Sequence, residues 1–211
     1  WTRERAAAPA RDDPPTVLVL GRVDHRRAPV EILAACELLR ARGVALQLVL
    51  VGRHGDAYDE LRARTTRSPM VASVRFTSEP RESDMPAIVA RAAVLVHISP
   101  GELTPVTPLE ALAAGCAVVA SRTPVLVEAL GADGARWIDA PDVDAHATAR
   151  GVDGPASAPN VDALAAAIEA ALRDARDPLH SAARARRAAP FTWQRHASLT
   201  MTAWRTILAQ H

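Results

Sequence analysis

Residues 94–120, with the sequence VLVHISPGELTPVTPLEALAAGCAVVA, are the most informative about the fold. It begins with the apolar run Val94 to Ile98, continues with a helical pattern over Pro108 to Ala114, and ends with a second apolar run, Ala117 to Ala120. Two apolar runs joined by a helix predict a βαβ unit whose parallel strands are buried on both faces. The loop that leaves the first strand and enters the helix is where open α/β sheets bind ligands.

Outward from this unit, β-branched and leucine-rich runs alternate with helical patterns, which predicts βαβ units and a parallel sheet. The six predicted strands are Thr16 to Leu20, Ala45 to Val51, Ser73 to Thr77, Val94 to Ile98, Ala117 to Ala120 and Arg136 to Ile138. The predicted helices are Pro29 to Arg42, Asp56 to Arg64, Asp84 to Ala92, Pro108 to Ala114, Pro124 to Leu130, Val161 to Arg173, Pro178 to Ala188 and Thr192 to Leu208. We therefore expect an α/β fold, a doubly wound parallel six-stranded sheet of Rossmann-like type with C-terminal helices.

Composition divides the chain into three parts. Residues 1–13 include an Ala/Pro/Arg-rich stretch that resembles an interdomain linker, and residues 14–190 form the predicted domain. Within that domain, residues from about 140 to 160 lack periodicity and are rich in Asp, Ala, Gly and Pro, which predicts a mobile loop. Residues 191–211 are predicted to form a final helix of crossover type that presents Trp193 and Trp204 for packing.

The composition also disfavours several classes of protein. Of the 211 residues 49% are hydrophobic, and the formal net charge of +1 gives no bias toward nucleic acid. No apolar run is long enough for a transmembrane helix, and the N-terminus has no apolar stretch of signal-peptide type, so we expect a soluble, cytoplasmic protein. Cys36 and Cys116 fall in apolar patterns far from any metal-ligand spacing, which predicts buried free thiols and no metal site.

Two glutamates, Glu102 and Glu110, frame the loop before the helix, with seven residues between them. A helix N-terminus has free N–H donors and partial positive charge, and carboxylates beside it favour a hydroxyl-rich ligand. A structural alternative stays open for Glu110, because Thr107-x-x-Glu110 with Pro108 at the first helical position is also a capping box. The two roles are compatible, since one carboxylate oxygen can face the backbone while the other faces a ligand.

The first two predicted strands end in glycine, Gly21 and Gly52, at the carboxyl edge of the sheet. Arg22 and Arg27 follow Gly21 and can offer forked hydrogen bonds to a diphosphate, although many arginines in so arginine-rich a chain are simply solvated. No G-x-G-x-x-G or Walker A motif follows any strand, which disfavours dinucleotide enzymes and P-loop proteins. His97 is interpreted as a satisfied core histidine, and no histidine–carboxylate pair supports a sugar-nucleotide epimerase or a plain regulatory module.

In this order, the motifs resemble the C-terminal, nucleotide-sugar-binding domain of retaining group 1 glycosyltransferases, which is one half of a GT-B fold. The pair Glu102 and Glu110 is the most specific element of the resemblance, which runs over most of the chain. The segments that carry it are Gly21 to Arg27, Leu48 to Gly52, Val74 to Thr77, Met85 to Val94, Leu109 to Glu128 and Phe191 to His196.

The resemblance implies that the ligand is a UDP- or GDP-sugar donor and that no cofactor or metal is required. It implies that Arg22 and Arg27, the latter where the family usually has lysine, neutralise the donor diphosphate. Glu110 is then expected to bind the donor ribose and Glu102 to lie near the transferred sugar, so Glu102, Arg22 and Arg27 are the candidate catalytic residues. The full set of candidate donor-binding residues is Gly21, Arg22, Arg27, Gly52, Leu103, Thr104, Thr107, Pro108, Leu109 and Glu110.

One departure from the family leaves two hypotheses open. Family members commonly have Gly-Phe-Gly after the first glutamate, where this chain has Leu103-Thr104-Pro105, so glycine's freedom is lost and Pro105 has no N–H to donate. The chain is either a divergent but working transferase or a domain with a lost or weak donor site that acts as a structural or interaction module. The resemblance also implies a missing N-terminal acceptor domain, no turnover by this domain alone, and apolar surface that can drive dimerisation.

Overall fold

The computed structural model describes residues 10–139 and 158–209, and within them the predicted sheet is confirmed. Its strands are β1 Thr16–Leu20, β2 Gln47–Val51, β3 Val74–Thr77, β4 Val94–His97, β5 Ala117–Ser121 and β6 Arg136–Ile138. Every neighbouring pair is parallel, and the order β3-β2-β1-β4-β5-β6 is that of a doubly wound, Rossmann-like sheet. Most of the predicted linker and nearly all of the predicted mobile loop lie outside the described residues.

The described helices follow the predicted ones to within three residues at either end. They are α1 Pro29–Ala41, α2 Tyr58–Arg67, α3 Met85–Arg91, α4 Val106–Ala113, α5 Pro124–Leu130, α6 Val161–Ala175, α7 Pro178–Ala188 and α8 Trp193–Leu208. Helix α4 begins two residues before the predicted start, because a proline is tolerated throughout the first turn and Pro108 need not mark its first position. The three-part division of the chain stays a prediction.

Both faces of the sheet are covered, which explains why its central strands are uniformly apolar. Along β1, Val17 and Val19 belong to the core shared with α1 and α6, whereas Leu18 and Leu20 belong to the core shared with α4 and α5. Successive side chains of a strand point to opposite faces, so neither set has access to water. Cys36 and Cys116 are buried and free, as predicted, and burial raises the pKa of their thiols to about 12 and about 11.

The order of the strands reverses next to β1, which pairs with β2 on one side and β4 on the other. In doubly wound sheets such a reversal leaves a crevice beyond the carboxyl ends of the two central strands, and ligands bind there. Gly21 follows β1 and Glu102 lies in the loop after β4, so the fold brings two of the sequence candidates to this crevice.

The start of the described chain is fastened to the opposite edge of the sheet. Arg11 donates hydrogen bonds to the carbonyl of Gly115 at 2.7 Å and that of Ala92 at 2.6 Å. Arg184 of α7 donates to the same Gly115 carbonyl at 3.0 Å. Two guanidinium groups therefore lie just beyond the C-terminus of α4, where positive charge is favoured by the helix dipole.

Helix α8 packs little against the rest of the described chain, and none of its residues is buried. The apolar side chains that it exposes are Trp193, Leu199, Met201, Trp204, Ile207 and Leu208, with Trp193 71% and Trp204 63% exposed. A helix with this much unpaired apolar surface is typical of a segment that packs on another domain or chain.

Candidate functional site

The turn after β1 holds the side chain of Arg27 against the backbone of Gly21. Gly21 has φ of +122°, and a Cβ placed on it would lie 3.4 Å from the guanidinium carbon of Arg27. A larger residue at position 21 would press on that guanidinium. The missing side chain therefore leaves room for the Arg27 guanidinium beside Gly21, at the carboxyl edge of the sheet.

The turns after β1 and β2 are joined beyond the ends of the strands. The N–H of Val23 donates to the carbonyl of Arg53 at 3.0 Å, which extends the pairing of the two strands. Gly52 has φ of +148°, and any Cβ on it would overlap the carbonyl of Gly21. The two glycines thus let the turns meet as one edge that carries the arginines.

Asp24 organises these arginines, and the sequence interpretation missed it. Its carboxylate is only 4% exposed and accepts a hydrogen bond from the Nε of Arg22 at 2.9 Å, while the Nε of Arg26 lies 3.7 Å away. A buried carboxylate between two guanidinium groups orients them and offsets part of their mutual repulsion. The available signal was an acidic residue within a turn otherwise made of basic side chains.

Arg27 has no partner for its Nε atom among the described residues, although that atom is buried. Burial lowers the pKa of the guanidinium, and the nearby negative charge of Glu102 opposes this effect. The cleft beside it has a volume of about 800 Å³. Its lining residues are Gly21, Arg22, Asp24, Arg26, Arg27, Gly52, Arg53, His54, Glu79 and Pro80. Four arginines against two carboxylates give the cleft a positive charge that suits a phosphate-bearing ligand.

Glu102 is paired with His97, which is buried in the core as predicted, but only one of its two ring nitrogens has a partner among the described residues. The Nε2 atom of His97 lies 2.8 Å from Oε2 of Glu102, and His97 is 4% exposed. Its other ring nitrogen, Nδ1, is buried with no partner among the described residues. The hydrogen bond from His97 lowers the pKa of Glu102, and Arg27 adds to this effect. The signal was a polar residue that ends an apolar strand five positions before Glu102.

We expect Glu102→Gln to reduce the dependence of stability on pH in acid. The folded-state pKa of Glu102 lies below its ordinary value of 4.5, so its ionisation stabilises the fold above that value, and this contribution is lost as the pH falls through the lower folded value. Urea unfolding from neutral pH into acid measures the difference between wild type and variant, which should shrink on acidification. Glu82→Gln, at an exposed position, is the control. A difference that stays constant or grows in acid contradicts the prediction.

The loop between Glu102 and α4 offers few donors to an anion. Leu103 is 90% exposed, Pro105 and Pro108 are buried, and neither proline has an N–H. The N–H of Val106 donates to the carbonyl of Thr104 at 2.8 Å. Within the first turn of α4, this leaves the N–H of Thr107 as a donor that has no acceptor inside the helix.

The capping-box interpretation of Thr107 and Glu110 is wrong. The helix begins at Val106, its N-cap is Pro105, and no side chain caps it. Thr107 therefore lies inside the first turn, where its side chain cannot act as the cap. Glu110 lies one turn further into the helix.

Glu110 of α4 borders a groove beside the start of α8. It lines a groove of about 410 Å³ together with Val106 and Leu109 of α4 and Phe191 and Trp193 at the start of α8. The structure thus brings together Gly21, Gly52, Arg22 and Arg27 in one cleft, with the charge of Glu102 acting on Arg27. Leu109 and Glu110 are among the residues that line the groove beside α8.

An aromatic stack stands at the edge of the arginine cleft. The rings of His54 and Tyr58 are stacked with centroids 3.6 Å apart, and Phe76 meets Tyr58 edge-on at 5.8 Å.

Across residues 10–139 and 158–209, no three potential ligands among His, Cys, Asp and Glu stand close enough together to hold a metal. None of the helices described is long and apolar enough to cross a membrane.

An arginine-lined cleft at the switch point of a doubly wound sheet defines a Rossmann-like α/β domain with a positively charged edge. The chain belongs to a family of this class, glycosyl transferases group 1, whose model matches residues 2–189. It is therefore a glycosyltransferase domain, and the resemblance read from its motifs is confirmed. No curated protein sequence matches the chain.

Three solved structures share the fold. Sucrose-phosphate synthase from Thermosynechococcus elongatus is 21% identical with a TM-score of 0.74, and the match covers 93% of this chain and 46% of that one. The C-terminal domain of the group 1 protein LpcC from Francisella tularensis is 16% identical with a TM-score of 0.62, over 82% of each chain. The pneumococcal O-GlcNAc transferase GtfA, in complex with UDP and GlcNAc, is 13% identical with a TM-score of 0.65, over 95% and 37%. At these identities the likeness establishes the fold alone.

Proposed function

We propose that this chain is the donor-binding domain of a retaining glycosyltransferase, which holds a nucleoside-diphosphate sugar in the crevice beyond β1 and β4. The observation that carries the proposal is the Nε atom of Arg27, buried with no partner among the described residues at the carboxyl edge of the sheet. An unsatisfied buried donor in a native fold calls for an explanation, and a diphosphate that accepts its hydrogen bond is one. Arg22, oriented by Asp24, is the second anchor.

The remaining candidate donor-binding residues are assigned to different parts of the donor. Gly21 and Gly52 let the backbone approach the diphosphate, Thr104 and Thr107 border the start of α4, and Leu103 lies on the solvent side of that loop. Pro108 shapes the first turn from a buried position and Leu109 lines the groove beside Glu110. We assign the ribose hydroxyls to Glu110 and the transferred sugar to Glu102, since carboxylates accept hydrogen bonds from hydroxyl groups.

The chemistry that this arrangement supports is electrostatic. Negative charge builds on the departing diphosphate, and two guanidinium groups placed beforehand neutralise it without reorganisation. The N-terminus of α4 adds partial positive charge from the other side. The arginines then supply the positive charge that a metal ion would otherwise provide, so we propose that no metal or other cofactor is needed. The acceptor hydroxyl attacks on the face from which the nucleotide leaves, which retains the configuration at the anomeric carbon.

We propose that a second domain, which binds the acceptor, completes the enzyme. The chain spans 46% of the sucrose-phosphate synthase and 37% of GtfA. The exposed apolar side chains of α8, with Phe191 before it, are suited to pack on such a domain. We also propose that two copies of the chain can associate through this surface when the second domain is missing, and that the protein is cytoplasmic.

Calorimetric titration with UDP, GDP and ADP tests the donor site. We expect one nucleotide to bind, and UDP is tried first because GtfA was solved with it. Glu110→Gln should weaken that binding by about threefold to tenfold, because a charged acceptor for the ribose becomes a neutral one. Glu128→Gln, on the separate helix α5, is the matched control. Sugar transfer by these 211 residues alone would contradict the proposed need for a second domain.

A second candidate function is a domain that keeps the fold with a lost or weak donor site. The loop before α4 favours it, since Pro105 and Pro108 donate no N–H and that of Val106 is taken by Thr104. Absence of binding to all three nucleotides, in a folded protein, would select this structural or interaction module. We favour the transferase, because the buried Nε of Arg27, which has no partner among the described residues, is costly without a ligand.

A further inference from the structure

We propose that His97 is a positioning residue for the donor sugar. By donating its Nε2–H to Glu102 it holds that carboxylate ionised and in one orientation, ready to accept hydrogen bonds from the hydroxyl groups of the sugar. The inference rests on the proposed function, because it adds a residue to the same site. His97 touches Glu102 and acts through it.

The geometry determines which nitrogen carries the proton. Oε2 of Glu102 lies 2.8 Å from Nε2 of His97, and an ionised carboxylate can only accept a hydrogen bond. Nε2 is therefore the protonated nitrogen of the pair. A second proton on Nδ1 would leave a buried N–H without an acceptor among the described residues. The imidazole is thus a directed donor with one strong contact, which is to Glu102.

The position of His97 makes a purely structural role costly. It ends β4, whose residues Val94, Leu95 and Val96 are buried, and an apolar side chain would complete that strand without stranding a polar atom. Position 97 has an imidazole whose Nδ1 is unsatisfied, yet its other nitrogen reaches the loop that leads to α4. A buried polar pair in which one nitrogen lacks a hydrogen-bond partner adds little stability, but it fixes the orientation of the carboxylate.

Glu102 accepts a hydrogen bond from the backbone of Thr104 within its own loop, and His97 adds a restraint that comes from the sheet. Its neighbours Gly101 and Leu103 are exposed, and Glu102 itself lies in a turn outside regular structure. The positive charge of Arg27 also attracts the Glu102 carboxylate, toward the arginine cleft. A hydrogen bond from a side chain anchored on the rigid sheet restrains the carboxylate between these alternatives.

The test compares affinities for a nucleotide and for its sugar derivative. Titrations use UDP against UDP-glucose and UDP-N-acetylglucosamine, and GDP against GDP-mannose, on wild type, His97→Leu and His97→Gln. For the sugar nucleotide that binds, His97→Leu should lose about tenfold in affinity, while the affinity for the bare nucleotide changes by less than about twofold. His97→Gln, whose amide N–H can reach Glu102, should recover part of the loss. His180→Leu, an exposed histidine on α7, is the control.

Nitrogen-15 NMR of the imidazole rings tests the pair without any ligand. We expect His97 to be protonated at Nε2 at neutral pH and its signals to move in Glu102→Gln. A proton on Nδ1 instead, no response to Glu102→Gln, or equal losses for nucleotide and sugar nucleotide would overturn the inference. If no nucleotide binds while the ring shows the expected pair, the proposed function fails, and the sugar-positioning role fails with it.

Discussion

Replacing Arg27 with alanine is expected to weaken the binding of the nucleoside diphosphate by at least about tenfold. Its guanidinium lies against Gly21, its Nε has no partner among the described residues, and the positive cleft opens beside it. A charge-assisted hydrogen bond to phosphate, in a partly buried setting, is among the stronger polar contacts that a protein makes. Calorimetric titration of wild type and variant with the nucleotide that binds measures the loss.

Two further variants separate the shape of Arg27 from its charge. Arg27→Lys keeps the charge and loses the planar fork, so its affinity should fall between those of wild type and Arg27→Ala. Arg40→Ala removes an exposed arginine near the other end of α1 and should leave the affinity within about twofold of wild type. Equal losses for Arg27→Ala and Arg40→Ala would mean that the cleft attracts anions by general charge alone, and the assignment of Arg27 would be withdrawn.

Gly52→Ala is expected to lower the free energy of unfolding by at least about 3 kcal/mol. A Cβ at this position overlaps the carbonyl of Gly21, and the backbone has φ of +148°, which residues with a side chain rarely adopt. The turns after β1 and β2 would have to move apart, so Arg27 and Arg22 would lose their positions too. Urea unfolding gives the stability, and titration with the nucleotide should find weaker binding or none.

Gly43→Ala distinguishes the steric overlap from backbone strain. Gly43, just after α1, has φ of +84°, and a Cβ placed there meets nothing within 4 Å. Alanine at this position carries the strain of positive φ alone, which costs about 1 to 2 kcal/mol. We expect this variant to be clearly more stable than Gly52→Ala and to bind the nucleotide like wild type. Equal destabilisation by the two substitutions would show that the close approach of the two turns contributes nothing.

Most of the fold could be predicted because its signals are local. Uniform apolar runs mark strands that are buried on both faces, and glycine marks where they end at the sheet edge. The starts of helices were harder, as α4 shows: Pro108 is compatible with several first-turn positions, and the choice depended on how Pro105 and Val106 pack. The capping box was a plausible pattern that the backbone did not use.

The candidate site was predicted in part. Gly21, Arg22, Arg27 and Gly52 do share one cleft, because the carboxyl ends of adjacent parallel strands meet at one edge. Glu110 lines a groove with the start of α8, which lies more than eighty positions further along the chain, and its predicted role at the donor ribose stays a prediction. No spacing in the sequence could reveal that groove.

The family could be inferred from the sequence through the resemblance of its motifs. The doubly wound sheet, and the edge at which the arginines and Glu102 gather, follow from periodicity, from glycine at strand ends and from the resulting topology. The tertiary structure alone decided the partners: Asp24 for Arg22, and His97 for Glu102. Hydrogen bonds depend on distances of a few tenths of an ångström and on which groups compete for each donor, and only the packed loops set those quantities.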